Sequence, residues 1–223
     1  MEEQVAVTLA GVLTSAEHLT RLLTARSCKA LWSTNQELRQ LVCSRASTLL
    51  IRHQASIDLL LRPSWPHLTT LKLSNTNIGA NHVRQLVQAE LPALQALDPS
   101  ANTLTSSAVE QLVTGNWQHL ANLDLASSLP GTDDVAACHC LAASNWPALG
   151  ALNISKNMFT AAAITELVEA DWPALQDLNV MACFEHLPRQ QLIQATSMLA
   201  NGHWPQLTAL GTLLVTSSLL PWK

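Results

Sequence analysis

The chain has 223 residues and a formal net charge of −4, and 48% of its residues are hydrophobic although it contains no Tyr and only two Phe. This length suits either one globular domain or a stack of small repeats, and the scarcity of aromatic side chains favours the stack. The net charge is about +2 over residues 1–64 and about −6 over the remainder. The acidic remainder argues against a nucleic-acid surface.

The sequence also predicts a soluble protein of the cytoplasm, with the nucleus as the alternative. No uninterrupted apolar stretch reaches the roughly 18 residues that a membrane-spanning helix needs, so we expect no contact with a membrane. The first residues, Met-Glu-Glu, lack the basic region of a secretory signal. The five cysteines follow no disulfide spacing, which suits a reducing compartment. They are Cys28, Cys43, Cys138, Cys140 and Cys183.

Two helices are predicted near the start of the chain, over residues 17–23 and 33–42, and a short strand is predicted over residues 48–51. We assign residues 1–45 to a helical cap on the repeats that follow. A stack of repeats needs such a cap, because its first core layer would otherwise be exposed to water.

The alternative interpretation of this region begins from Val12-Leu13, Leu19, Leu22 and the run Ser27-Cys28-Lys29-Ala30-Leu31-Trp32. The pattern resembles the second half of an F-box, although the usual Leu-Pro opening is absent. The resemblance implies an adaptor that docks on a Skp1-type protein and presents substrates to a ubiquitin ligase.

A bulky residue recurs from residue 65 onward and sets the register of the repeats. The steps between its six positions are 26, 26, 29, 26 and 32 residues, and a Pro follows directly at five of them. The anchors are Trp65, Leu91, Trp117, Trp146, Trp172 and Trp204. Their strict period predicts that these side chains lie in the core, at the corner between a helix and the next strand.

The same apolar pattern follows each anchor, as in Leu149, Leu152 and Ile154. Alternation with period two predicts a short strand whose apolar side faces the core. A small residue with hydrogen-bonding capacity comes next, where the chain turns inward and backbone groups are hidden from water. These turn residues are Thr76, Asn102, Ser128, Asn157 and Cys183.

Between the strands lie segments with helical spacing. Their apolar residues follow an i, i+3, i+4 pattern that buries one face of a helix. The clearest sets are Val83, Leu86 and Val87, then Val109, Leu112 and Val113, then Ile164, Leu167 and Val168. A Trp-Pro or Leu-Pro pair stops each helix and starts the next strand in an extended conformation.

Because strand and helix alternate with this spacing, residues 65 to about 210 resemble leucine-rich repeats of the ribonuclease-inhibitor-like class. The resemblance covers roughly two thirds of the chain and implies an α/β solenoid, a short curved horseshoe with a parallel sheet on its concave face and helices on its convex face. We assign residues 46–215 to the repeats, with about six Trp-Pro-anchored units from residue 65, and residues 216–223 to an apolar tail.

Three departures from the pattern predict local breaks. Pro99 occupies an inward strand position and cannot donate to the sheet, the third unit is irregular around Pro130, and the fifth is stretched around Pro188.

The sequence contains no recognisable catalytic constellation, so we predict that the chain is not an enzyme. Cys138-His139-Cys140 is the only cluster of metal-ligand residue types, but adjacent residues point in different directions and no second pair lies at zinc-site spacing. We therefore expect a packing role for it, and neither a metal nor a cofactor. Asp133-Asp134 is expected to lie in a solvated loop.

The side chains that alternate with the core leucines should project from the open face of the sheet, aligned about 5 Å apart. We predict a partner-binding column formed by Lys72, Asp98, Asp124, Asn153 and Asn179. Flanking positions are Thr70, Ser74, Gln95, Ser100, Asn122, Ser155, Lys156, Gln176 and Met181. The acidic pair Asp98 and Asp124 favours a basic peptide or patch.

The sequence thus predicts a non-enzymatic scaffold that binds another protein on the concave face. A merely solvated sheet stays open as a possibility, because this face lacks the Trp, Tyr and Arg side chains that concentrate binding energy. The alternative function is that of an F-box-like substrate receptor of a Skp1-cullin-type ubiquitin ligase.

Overall fold

The computed structural model describes residues 43–52 and 64–211, together with Gln40, Ile57 and Leu60. The described part is an α/β structure with one parallel sheet of seven three-residue strands in sequential order. The strands are β1 (Thr48–Leu50), β2 (Thr70–Lys72), β3 (Ala96–Asp98), β4 (Asn122–Asp124), β5 (Ala151–Asn153), β6 (Asp177–Asn179) and β7 (Ala209–Gly211). The predicted α/β class and parallel sheet are confirmed.

Five helices in the described part alternate with strands β2 to β7, and consecutive helices pack against each other. They are α1 (Ala80–Gln88), α2 (Ser106–Val113), α3 (Asp134–Ala142), α4 (Ala161–Leu167) and α5 (Arg189–Ala200). None of these helices is both long and apolar enough to cross a bilayer.

The sheet keeps one register along its whole length. The middle residue of each strand pairs with the middle residue of the next, forming a row of leucines: Leu49, Leu71, Leu97, Leu123, Leu152, Leu178 and Leu210. The first six are buried, and so is each apolar residue two positions later, such as Leu73 and Ile154. The predicted inward alternation is therefore confirmed, and the strand predicted over residues 48–51 is present as β1.

The core lies between this row and the helices. Val83 and Leu86 of α1, and Ile164 and Leu167 of α4, are buried as the helical spacing predicted. All six anchor residues are at most 5% exposed. Trp172 also stacks on Trp204 with ring centroids 6.2 Å apart. The anchors therefore belong to the core, as predicted, and not to a recognition surface.

Buried side chains at the turns after the strands join neighbouring units. The Asn102 side-chain oxygen accepts hydrogen bonds from the backbone N–H groups of Thr76 (3.0 Å) and Ile78 (3.1 Å), one unit earlier. Its amide nitrogen donates to the carbonyl oxygens of Leu73 (2.9 Å) and Pro99 (2.8 Å). Asn157 repeats the pattern with the backbone N–H groups of Ser128 and Leu129 and the carbonyl oxygens of Leu125 and Ile154. These bonds satisfy backbone groups that the turns withdraw from water.

The residue before each of these buried turn residues adopts a positive φ angle, between 52° and 58°. These residues are Asn75, Ala101, Ser127, Lys156 and Ala182. The left-handed conformation is unfavourable for residues with a Cβ, Asn excepted, so the turn geometry is imposed by the stacking of units and not by local preference.

The three predicted breaks have different outcomes. At Pro99 the predicted break is present. The equivalent residues Leu73 and Leu125 donate their N–H groups to the carbonyl oxygens of Asp98 and Asn153 in the next strands. Pro99 has no N–H group and cannot donate to the carbonyl oxygen of Asp124. In the third unit and the fifth, the sheet register continues unbroken. The extra residues lie in the turn before α3 and in the turn before α5, with α5 itself longer than the other helices. Insertions are accommodated there because the connections are less constrained than the sheet.

Several predictions fall outside the described residues. These are the F-box-like run, the two N-terminal helices apart from Gln40, and the chain from residue 212 onward, which includes the apolar tail.

Candidate functional site

The strands present a face opposite the buried leucine row. We call it the polar face and define it by the first and third residues of strands β2 to β6. It consists of Thr70, Lys72, Ala96, Asp98, Asn122, Asp124, Ala151, Asn153, Asp177 and Asn179. Each of these residues is exposed or half-buried, whereas the middle residue of each strand is buried.

All five residues of the predicted column lie on this face as the third residue of their strand. Lys72 pairs with Asp98, and Asp124 pairs with Asn153, which pairs in turn with Asn179. Parallel strands lie about 4.8 Å apart, so neighbouring side chains of the column are within reach of one ligand group. The Nδ2 atom of Asn153 donates to Oδ2 of Asp124 at 3.1 Å.

Four residues of the column also stabilise the turn that follows their own strand. The Oδ1 atom of each accepts a hydrogen bond from the backbone N–H two residues later, at 2.9–3.1 Å. The pairs are Asp98 with Ser100, Asp124 with Ala126, Asn153 with Ser155, and Asn179 with Met181. This local pattern is the usual reason for Asp or Asn at the start of a turn. It holds these four side chains in fixed orientations without a partner.

At the centre of the polar face, one hydrogen bond between strands β3 and β4 is missing because Pro99 has no N–H group. Asp98 and Asp124 are the one neighbouring pair in the column that the sheet register omits. Pro99 therefore donates no hydrogen bond to the carbonyl oxygen of Asp124, in the strand pair that carries the Asp98 and Asp124 side chains. Hydrogen-bond acceptors dominate this position, which favours a ligand that brings donors and positive charge.

Sequence reasoning missed one acidic residue of the polar face, because it selected Gln176 in place of its neighbour Asp177. Asp177 is the first residue of β6 and is exposed. The sequence signal that identifies Asp177 is its position directly before Leu178, the central leucine of its strand. With Asp98, Asp124 and Asp177 against the single cation Lys72, the face carries a net charge of −2.

The residues Cys138, His139 and Cys140 lie on helix α3, which gives the three side chains different degrees of burial. Cys138 is buried, Cys140 is half-buried, and exposed His139 places its Nδ1 atom 2.8 Å from Oε2 of Glu166 on α4. Burial, reinforced by the nearby Asp134 carboxylate, raises the pKa of the Cys138 thiol well above its usual range. Such a thiol is protonated and unreactive at neutral pH. Within the described part of the chain, no group of three or more His, Cys, Asp and Glu side chains is arranged to hold a metal ion.

The expectation of a solvated loop at Asp133-Asp134 is wrong for Asp134. Asp134 is the first residue of α3 and only 5% exposed. Its Oδ2 atom accepts a hydrogen bond from the backbone N–H of Thr160 at 2.6 Å, just before α4. Asp133 is exposed, and its carboxylate accepts a hydrogen bond from the Ser106 hydroxyl at 3.0 Å. Both residues therefore connect neighbouring units.

Comparison with protein-family models finds no family that matches the chain. Comparison with curated proteins finds no matching protein.

Proposed function

We propose that this chain is a leucine-rich-repeat scaffold without catalytic activity, which binds a basic segment of another protein on the polar face. The observation that carries the proposal is the central pair Asp98 and Asp124. These two side chains are held in place by turn hydrogen bonds, and they belong to the one strand pair in which Pro99 cannot donate to the facing carbonyl oxygen.

Two features support the assignment to leucine-rich repeats: the period of the anchor residues in the sequence, and the contacts between successive units in the structure. Leucines repeat in register across seven strands, and buried turn residues such as Asn102 join units 26 residues apart. These are the features that the consensus of the family requires. In that class the polar face is the concave face, which stacked units extend as one continuous surface.

Electrostatics favour a basic partner. The face has a net charge of −2, and at its centre the carbonyl oxygen of Asp124 receives no hydrogen bond from Pro99. A partner that supplies Lys or Arg gains charge-assisted hydrogen bonds and faster association. Because the turn bonds already fix the aspartates, less side-chain entropy is lost on binding.

The test is affinity capture of proteins from a cell lysate with three forms of the chain. The test variant is Asp98→Asn/Asp124→Asn, which removes two charges while an amide oxygen can still accept the turn hydrogen bonds. The control variant is Glu90→Gln/Asp171→Asn, which removes two charges from exposed positions outside the polar face.

We expect a partner with a basic segment to be retained by the wild type and the control, and recovered about tenfold less by the test variant. Equal recovery by all three forms would contradict the proposal. Recovery of a Skp1-type protein that depends on residues 1–45 and not on the polar face would favour the F-box-like receptor instead.

A further inference from the structure

Two methionines give the end of the polar face an apolar edge. Of the described residues, the exposed large hydrophobic side chains are Val135, Met158, Met181 and Ile193. Val135 and Ile193 belong to helices α3 and α5, whereas Met158 and Met181 lie in the turns after β5 and β6. Met158 is 56% exposed and Met181 is 49% exposed.

Backbone contacts fix the positions of both methionines. The N–H of Met181 donates to Oδ1 of Asn179 in the column at 3.0 Å, and its carbonyl oxygen accepts from the N–H of Lys156 at 2.7 Å. The turns after β5 and β6 are therefore directly joined. Met158 lies two residues after Lys156 and is packed against Gly131. A Cβ atom at residue 131 would lie only 3.0 Å from the Cβ and from the carbonyl oxygen of Met158.

The residues equivalent to Met158 in the neighbouring units, Leu129 and Phe184, are also apolar, but they are buried, whereas Met158 is 56% exposed. At the place of Met181 the architecture of the units does not require methionine. The positions equivalent to Met181 in the preceding four units hold small side chains, namely Ser74, Ser100, Ala126 and Ser155. A long flexible thioether in this position instead suits contact with another molecule, because methionine adapts to the shape of an apolar partner. Exposed apolar side chains beside a charged surface are the common composition of a binding site.

We propose that Met158 and Met181 form an anchor site for one large apolar side chain of the basic segment that occupies the polar face. This inference rests on the proposed function and specifies its partner more closely. The charge of the neighbouring column argues that the occupant is basic, and the methionines supply the apolar contact that the column itself lacks.

The spacing of the strands predicts the spacing of the residues in that segment. Asp124 on β4 lies two strands from the turn that holds Met181, and Asp98 on β3 lies three strands away. At about 4.8 Å between strands, these separations are about 10 Å and about 14 Å. An extended chain advances about 3.3 Å per residue. The basic and the apolar residue of the partner should therefore lie about three or four positions apart.

The experiment selects binders from a random peptide library displayed on phage, with the full chain as bait. The dissociation constants of selected peptides are then measured with four proteins: wild type, Met158→Ala/Met181→Ala, Asp98→Asn/Asp124→Asn, and the control Val135→Ala/Ile193→Ala. The control removes two exposed apolar side chains from the helices, Val135 (39% exposed) and Ile193 (46% exposed). Thermal unfolding checks that all four proteins are folded.

We expect the peptides to carry Lys or Arg about three or four positions from Leu, Met, Phe or Trp. We expect the methionine variant to bind them about tenfold more weakly and the control to bind them as the wild type does. Peptides that depend on the aspartates but not on the methionines would overturn the anchor site and leave the proposed function standing. Peptides that depend on neither pair, or no enrichment of any sequence, would count against both.

Discussion

The replacement Asn102→Ala tests the hydrogen bonds that join neighbouring units. It removes the only described partner of two buried N–H groups, those of Thr76 and Ile78. The carbonyl oxygens that Asn102 also contacts are less affected, because Leu73 still accepts from the Thr76 hydroxyl and Pro99 from the Ser128 hydroxyl. A buried polar group without a partner costs about 1–3 kcal/mol, so two such groups predict a loss of about 2–6 kcal/mol in the free energy of unfolding.

The measurement is guanidinium chloride unfolding, followed by far-ultraviolet circular dichroism, with the slope of free energy against denaturant compared between variants. Asn122→Ala is the control, because the Asn122 side chain is exposed on β4, where substitutions usually change stability by no more than about 0.5 kcal/mol. A loss below about 1 kcal/mol for Asn102→Ala, or an equal loss for the control, would refute the reasoning.

Three further predictions concern the core, the turns and the buried thiols. Trp172→Ala should lower the free energy of unfolding by about 3–5 kcal/mol, because it empties a fully buried site beside Trp204; a loss below about 1 kcal/mol would contradict the assignment of the anchors to the core. Ala101→Gly should leave the free energy of unfolding unchanged or raise it by up to about 1 kcal/mol, because φ is 53° at this residue. Ala108→Gly inside α2 should lower the free energy of unfolding by about 1 kcal/mol or more. The opposite ranking of the two variants in denaturant unfolding would be inconsistent with the turn geometry. Burial raises the pKa of the Cys183 thiol from 9.0 to about 12, although backbone hydrogen bonds oppose the shift. The unfolded thiol therefore ionises first, and stability should fall as pH rises above about 9; Cys183→Ala should reduce that slope, and an unchanged slope would count against the burial.

The fold could be predicted from the sequence wherever one residue type carried the periodic signal. Leucines with period two gave the strands, apolar residues with helical spacing gave the helices, and the anchor residues at steps of 26 to 32 residues gave the register. This worked because every unit buries the same positions against its neighbours, so a tertiary requirement repeats along the chain.

The remaining details depend on contacts between residues far apart in sequence. Asp134 is buried because it accepts a hydrogen bond from Thr160, and no local pattern announces a contact across 26 residues. The column aspartates were expected on the open face, and they lie there, but their role in their own turns became apparent only from the hydrogen bonds. The missing hydrogen bond to Asp124 was foreseeable from Pro99, whereas its place in the strand pair that carries both Asp98 and Asp124 required the register of β3 and β4.

The most direct test of the proposed binding face is site-specific photo-crosslinking with a captured partner. A photoreactive amino acid is placed at Asn122, which is exposed between the acidic positions of the polar face, and in a separate protein at Gln88, which is exposed at the end of α1. We predict that the partner forms a covalent adduct from position 122 and not from position 88. An adduct from position 88 alone would place the partner on the helices and contradict the claim that the polar face binds it.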